Sequence, residues 1–136
     1  MSRIRSTNTR PEMLVRSALH KMGYRFRLNG KVGKNYSSKG ILQGKPDIVL
    51  AKYRLVIFIN GCFWHHHINC KRANIPKTNQ EYWQKKLSRN VERDKENIRQ
   101  LKSDGWKVIV IWECQIDKKT LPELLKREID EAFNSW

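Results

Sequence analysis

An α/β fold, a mixed β-sheet flanked by helices, is predicted for this 136-residue chain by the order in which its apolar periods change. Three observations carry the prediction. Three S/T-x-x-E capping signatures each stand ahead of an apolar stripe of helical period. Two short apolar runs, Ile48-Val49-Leu50 and Leu55 to Ile59, lie close enough to form a hairpin. A third run, Trp106 to Trp112 (WKVIVIW), falls between the last two helices and reads as a buried strand. The resulting order is α, β, β, β, α, β, α in one domain over residues 1–136, with no internal repeat and no low-complexity tract.

Each element has a local cause. Thr9-Arg10-Pro11-Glu12 is a capping box with proline just inside the helix, and Met13, Leu14, Val15, Ala18 and Leu19 supply the apolar stripe up to Gly23. Tyr24 to Leu28 alternates as Tyr-Arg-Phe-Arg-Leu, the period of a half-exposed strand. Residues 29–44 carry four glycines and several lysines without a period, and read as a mobile loop. The central hairpin turns near Lys52 and Tyr53. Thr78 and Glu81 form the second capping box, opening a long helix through Trp83, Leu87, Val91, Ile98 and Leu101 that Gly105 closes. Thr120 and Glu123 open the last helix, through Leu124, Leu125, Ile129 and Phe133.

Charge narrows the partner. Lys plus Arg total 28 against 13 Asp plus Glu, a formal charge of +15, which suits a polyphosphate and points first to nucleic acid. No apolar run approaches the roughly 20 residues of a membrane span, and no basic amphipathic helix carries an aromatic face. The start MSRIRSTNTR is basic without an apolar core, so a cytoplasmic protein is expected. Three cysteines in a reducing compartment favour metal thiolates over disulfides.

The stretch from Gly44 to Cys70, GKPDIVLAKYRLVIFINGCFWHHHINC, concentrates the chemistry and reads as a nuclease centre. Asp47 follows Pro46 at the entrance of a buried run, where few partners other than a cation hold a carboxylate charged. The second run delivers Asn60, Gly61 and the Cys-Phe-Trp-His-His-His sequence to the same sheet edge. Cys62, His67, Cys70 and the distant Cys114 form a C-x4-H-x2-C…C set suited to tetrahedral zinc; small buried cysteines are the alternative. His65 is then available for proton transfer, or packs as a supporting residue. Pro46-Asp47 matches the first half of the P-D…(D/E)-x-K nuclease pattern, but Ile59-Asn60-Gly61 stands where the second half belongs. Either the match is accidental or Glu12 and His65 replace the missing groups; a capping box alone also explains Glu12. Trp106 and Trp112, on the buried run, are assigned to the core.

The segments VIFINGCFWHHH, EYWQKKLSRNVERD, GWKVIVIWEC and TRPEMLVRSAL together resemble the very short patch repair (Vsr) endonucleases, over roughly residues 1 to 116. The resemblance implies a restriction-endonuclease-like fold with a structural zinc site, and an enzyme that nicks DNA beside the thymine of a T·G mismatch left by deamination of 5-methylcytosine. It implies that Asp47 binds two catalytic magnesium ions with the main-chain carbonyl of Ile59 as a further ligand, that His65 is the acid/base, and that Glu12 and Asp94 hold metal-bound waters. It further implies one zinc on Cys62, His67, Cys70 and Cys114, and a wedge of Phe63, Trp64 and Trp83 entering the DNA at the mismatch. The expected partners are mismatched double-stranded DNA and mismatch-repair proteins, with the enzyme itself a monomer and no membrane involved.

Three departures qualify the carry-over. Asn60 stands where family members commonly have His or Asp, and an amide orients water without taking its proton, so metal affinity or rate is expected to fall. His67 to Cys70 carries an extra residue, which a zinc loop absorbs. The start at MSRIRS is shorter than in many members, and a weaker minor-groove grip is expected. Two other classes compete: a restriction-type nuclease that uses the same metal centre on a matched, sequence-specific duplex, and a zinc-stabilised DNA-binding module without activity, which the charge and the missing (D/E)-x-K support. Magnesium-dependent nicking separates the second from an enzyme, and comparison of matched with T·G duplexes separates the first.

Overall fold

In the computed structural model the described residues are 10–32, 40–61 and 77–134. Among them seven helices and strands follow the expected order: α1 (Arg10–Lys21), β1 (Arg27–Leu28), β2 (Ile48–Leu50), β3 (Leu55–Asn60), α2 (Gln80–Ser103), β4 (Lys107–Trp112) and α3 (Leu121–Asn134). The four strands form one mixed sheet in the order β1-β2-β3-β4. β1 and β3 each run antiparallel to β2, and β4 runs parallel to β3.

Strand alternation divides the core into two layers. Ile48, Leu50, Leu55, Ile57, Ile109 and Ile111 turn to one face, where they pack with Val15, Ala18 and Leu19 of α1 and Leu121, Leu125 and Ile129 of α3. Val49 and Val56 turn to the other face, where they meet Leu101 of α2 and Trp106. The sheet is therefore a central layer with α1 and α3 on one side and α2 on the other. Every β2 residue and the first three of β3 are buried, as expected of a strand pair covered on both faces.

Several expectations need correction. The strand expected over Tyr24 to Leu28 shrinks to Arg27–Leu28, which pair with Val49 and Ile48. Tyr24 instead meets the Tyr53 ring edge-on, with centroids 5.9 Å apart, and burial raises its phenol pKa. The expected loop over 29–44 is partly core: Lys31 bridges Ile41, and Val32 and Leu42 are buried; residues 33–39 lie outside the described set. The hairpin turns through a short 3-10 helix at Ala51–Tyr53 and a left-handed Arg54, whose N–H closes on the Ala51 carbonyl.

The second capping box does not form. α2 starts at Gln80 behind Asn79, which is left-handed (φ 57°) and makes no side-chain cap, so Thr78 stands one residue too early and Glu81 falls at the second helical position. Asparagine tolerates that backbone region better than most residues, and its carbonyl accepts the first helical bond, from the Trp83 N–H. At α3 the Thr120 carbonyl accepts the Leu124 N–H, as expected of the residue before a helix. Thr9, the expected cap of α1, lies outside the described residues. Phe133 is not in the core stripe of α3: it is exposed and packs edge-on against Tyr53. Trp106 is buried just ahead of β4, whereas Trp112 at its end is half-buried.

Candidate active site and nucleic-acid interface

Asp47 stands where the β2–β3 ladder ends. Ile48 pairs with Ile57, so one step outward Asp47 faces Phe58 and the strands separate. There the carboxylate takes over from the ladder: its Oδ2 accepts the Ile59 N–H at 2.7 Å. The short distance is typical of a bond to an ionised acceptor. The Asp47 carbonyl in turn accepts the Asn29 N–H at 3.2 Å, which anchors the backbone from the other side. In an extended strand the N–H and C=O of one residue leave the chain on the same side, so the Ile59 carbonyl also faces the Asp47 side of β3. Asp47 and Ile59 are thus brought together as the sequence reading expected.

Asn60 follows as the last residue of β3, is 7% exposed, and shares by alternation the α2 face with Val56 and Phe58. That face is where Asp94 is directed. Leu87, Asp94 and Leu101 are spaced by seven, which places them on one side of α2, and both leucines are buried. Asp94 therefore interrupts the apolar stripe of α2 with a half-buried acid. Glu12 belongs to the opposite layer. It lies in the first turn of α1, is 4% exposed, and its Oε2 accepts from Arg16 Nη2 at 3.3 Å. Arg16 is a residue that sequence reasoning missed, although its i, i+4 spacing from Glu12 was visible.

Cys62, Phe63, Trp64, His65, His67 and Cys70 lie outside the described residues. Cys114 is described and is exposed, in the 3-10 turn Glu113–Gln115, which corrects the alternative that it is a buried apolar residue. Asn60 pairs with Trp112, so Cys114 follows that register pair by two residues just as Cys62 does in sequence. Among the described residues no three His, Cys, Asp or Glu side chains gather as a metal-holding group.

The start of α2 presents aromatic rings with a cation. Tyr82 is 57% exposed and meets the half-buried Trp83 edge-on at 5.2 Å. Lys86 Nζ sits 5.8 Å from the Tyr82 ring centre and 6.0 Å from that of Trp83. Tyr82, Lys86, Arg89 and Arg93 recur at i, i+4, i+7 and i+11, so they form one exposed stripe along the helix. Such a stripe suits a nucleic-acid strand, with stacking at one end and phosphate contacts beyond. Sequence reasoning singled out Trp83 but not Tyr82 or Lys86, whose helical spacing was the available signal. Further along, Arg99 pairs with Glu96 and its hydrogen bond lowers the Glu96 pKa; both are exposed and remote from Asp47 along the chain. No helix among the described residues is long and apolar enough to cross a membrane.

The sequence matches known proteins. Residues 1–72 match the family described as DNA mismatch endonuclease Vsr. A type II nicking enzyme of Neisseria meningitidis is 45% identical over 136 aligned positions, covering 97% of this chain and 90% of that protein. A type II nicking enzyme of Xanthomonas oryzae is 43% identical, with 97% and 90% covered. The DNA mismatch endonuclease Vsr of Escherichia coli is 37% identical across 100% of this chain and 80% of its own length. With the family matched over more than half of the chain and relatives aligned along nearly all of it, this endonuclease belongs to the Vsr family of DNA mismatch endonucleases.

Proposed function

We propose that this endonuclease nicks one strand of duplex DNA beside the thymine of a T·G mismatch, with two magnesium ions held at Asp47. The observation that carries the reading is the Asp47 carboxylate fixed against Ile59 at the end of the ladder. It places an acid and a main-chain carbonyl on one side of β3, a set of hard oxygen donors that fits magnesium. Asp94 and Glu12 extend that set from the two helical layers as holders of metal-bound water. Magnesium, when bound, supplies charge stabilisation for the attacking water and for the leaving 3′ oxygen.

The chain's own residues do the rest. Asp47 is held in orientation by its bond to Ile59, so no reorganisation is needed at the moment of reaction. Water attacks phosphorus, the bond to the 3′ oxygen breaks, and His65 is assigned the proton transfer. Asn60, buried beside this edge, orients water but takes no proton. Tyr82, Trp83 and Lys86 meet the DNA, and Phe63 and Trp64 complete the wedge, which favours a mismatched step because its stacking is already weakened. Cys62, His67, Cys70 and Cys114 would hold zinc as a closed structural site; the exposed thiol of Cys114 beyond the Asn60–Trp112 pair supports this. The sheet with its two helical layers serves as a restriction-endonuclease-like core.

The test is a panel of duplexes carrying each single mismatch, incubated with magnesium or with chelator. Magnesium-dependent nicking confined to the thymine strand of T·G supports the reading. Cleavage of matched duplex at a defined sequence would replace it with the restriction-type alternative.

A further inference from the structure

Two contacts between α2 and the turn that precedes Asp47 have no part in the site as described above. Gln43 Nε2 donates to Asn97 Oδ1 at 2.9 Å across 54 residues of sequence. Beside it, Gly44 is left-handed (φ +76°) and pressed against the same side chain: a Cβ there would meet Cβ, Cγ and Nδ2 of Asn97, each at 2.9 Å. No residue larger than glycine fits without moving the helix or the turn. The turn is held equally from its far side. Gly30 (φ +72°) leaves 2.8 Å between its own missing Cβ and the Lys45 Cα, and the Leu42 N–H bonds to the Gly30 carbonyl at 2.9 Å. Residues 42–46 are thus gripped between the segment at Gly30 and helix α2, and Asp47 is the next residue out.

On the helix, Asn97 stands three residues, just under one turn, beyond Asp94. The grip therefore joins two rigid pieces that each carry an acid of the site: the turn ending in Asp47 and the helix bearing Asp94. The same helix begins at the Tyr82, Trp83 and Lys86 cluster. We propose that Gln43, Gly44 and Asn97 are positioning residues, a clasp that sets the placement of the Asp47 carboxylate relative to α2 and so couples the DNA-contacting helix to the catalytic acid. The proposal rests on the reading of Asp47 given above.

The experiment uses the full chain and a readout independent of activity. The Ile59 N–H reports directly on Asp47, because its acceptor is that carboxylate. Asn97→Leu keeps the side-chain size but removes the acceptor for Gln43, whereas Asn97→Asp keeps an acceptor oxygen in place. In Asn97→Leu, amide exchange at Ile59 should quicken by up to about tenfold, the ceiling for losing one side-chain hydrogen bond, while exchange at Ile57 and Val49 stays put. Single-turnover nicking should slow about five- to tenfold with duplex affinity unchanged within about twofold, and Asn97→Asp should restore both. Gly44→Ala should repeat the Ile59 effect, provided it folds. Unchanged Ile59 exchange in Asn97→Leu overturns the clasp, as does an equal rise at Ile57 and Val49, which marks a purely structural contact. Failure of Asn97→Asp to do better than Asn97→Leu also overturns it. Should Asp47→Asn nick normally, the reading of Asp47 fails instead, and the exchange data still judge the clasp.

Discussion

Replacing Asp47 by asparagine and by alanine separates the two jobs of its carboxylate. Oδ2 accepts the Ile59 N–H at 2.7 Å, and a hydrogen bond to a charged group contributes about 1.5–3 kcal/mol. Asp47→Asn keeps an acceptor oxygen of the same shape and loses only the charge, so the expected destabilisation is about 1 kcal/mol. Asp47→Ala removes the acceptor and leaves the Ile59 N–H at a half-buried position without it, a loss of about 1–3 kcal/mol. For a domain of this length that corresponds to a fall of roughly 3–12 °C in Tm. Nicking should not follow this order. Both variants lack the carboxylate proposed to hold a divalent cation, so both should lose magnesium-dependent nicking by several orders of magnitude. Duplex affinity measured without magnesium should be unchanged or slightly higher, since a negative charge near the phosphates is gone. Thermal unfolding, fluorescence anisotropy and single-turnover nicking of a T·G duplex make the three comparisons. Asp47→Asn that nicks within about tenfold of the parent would refute the metal-holding role, because an amide is a poor substitute for an ionised ligand.

Three other variants test separate parts of the site. Cys114→Ser should abolish tight zinc binding and lower stability sharply, since a structural zinc contributes folding energy outright; elemental analysis of the folded parent showing no zinc defeats this. Trp83→Ala should fold, bind matched duplex as before, and lose about 1–3 kcal/mol of its preference for T·G, read from paired nicking rates; retention of the full preference moves discrimination elsewhere. Asp94→Leu completes the apolar stripe between Leu87 and Leu101, so its urea midpoint should equal or exceed that of the parent while nicking slows at least about tenfold. A variant that nicks normally removes Asp94 from the site.

The elements legible in the sequence are those whose burial is decided by their own period. β2, β3 and β4 were readable because continuous apolar runs of strand length leave few other states, and their bounds fall within one residue of the expected spans. α1 and α3 were readable from their stripes, of which Val15, Ala18 and Leu19, and Leu125 and Ile129, are buried. Failures occur where a distant element decides. Tyr24 to Phe26 alternates like a strand, but only Arg27 and Leu28 pair with β2, and Tyr24 packs instead on the Tyr53 ring. Val32 and Leu42 sit in a glycine-rich stretch without a period, and their burial depends on Leu101 and Trp106 some sixty or more residues further along the chain. The Thr78 capping signature was overruled by Asn79, whose left-handed backbone turns the chain into the helix one residue later.

The site divides along the same line. Residue types marked Asp47, and its bond to Ile59 follows from the hairpin register, which the two apolar runs imply but do not number. A single residue of slip would exchange the faces of Ile59 and Asn60 and leave the carboxylate beside a different amide. The register itself is set by the Ala51–Arg54 turn, and the turn before Asp47 is shaped by Gly30 from one side and Asn97 from the other. Neither contact has a local signature: Gly44 reads as an ordinary loop glycine and Asn97 as an ordinary polar residue on a charged helix. Only when α2 is folded across the sheet does the left-handed Gly44 face the one side chain that excludes a Cβ. The chemistry of the centre is consequently written in residue types, whereas its precision resides in contacts more than fifty residues apart, such as Gln43 with Asn97. Substitutions there should leave every motif intact and still displace the acid that the motifs identify.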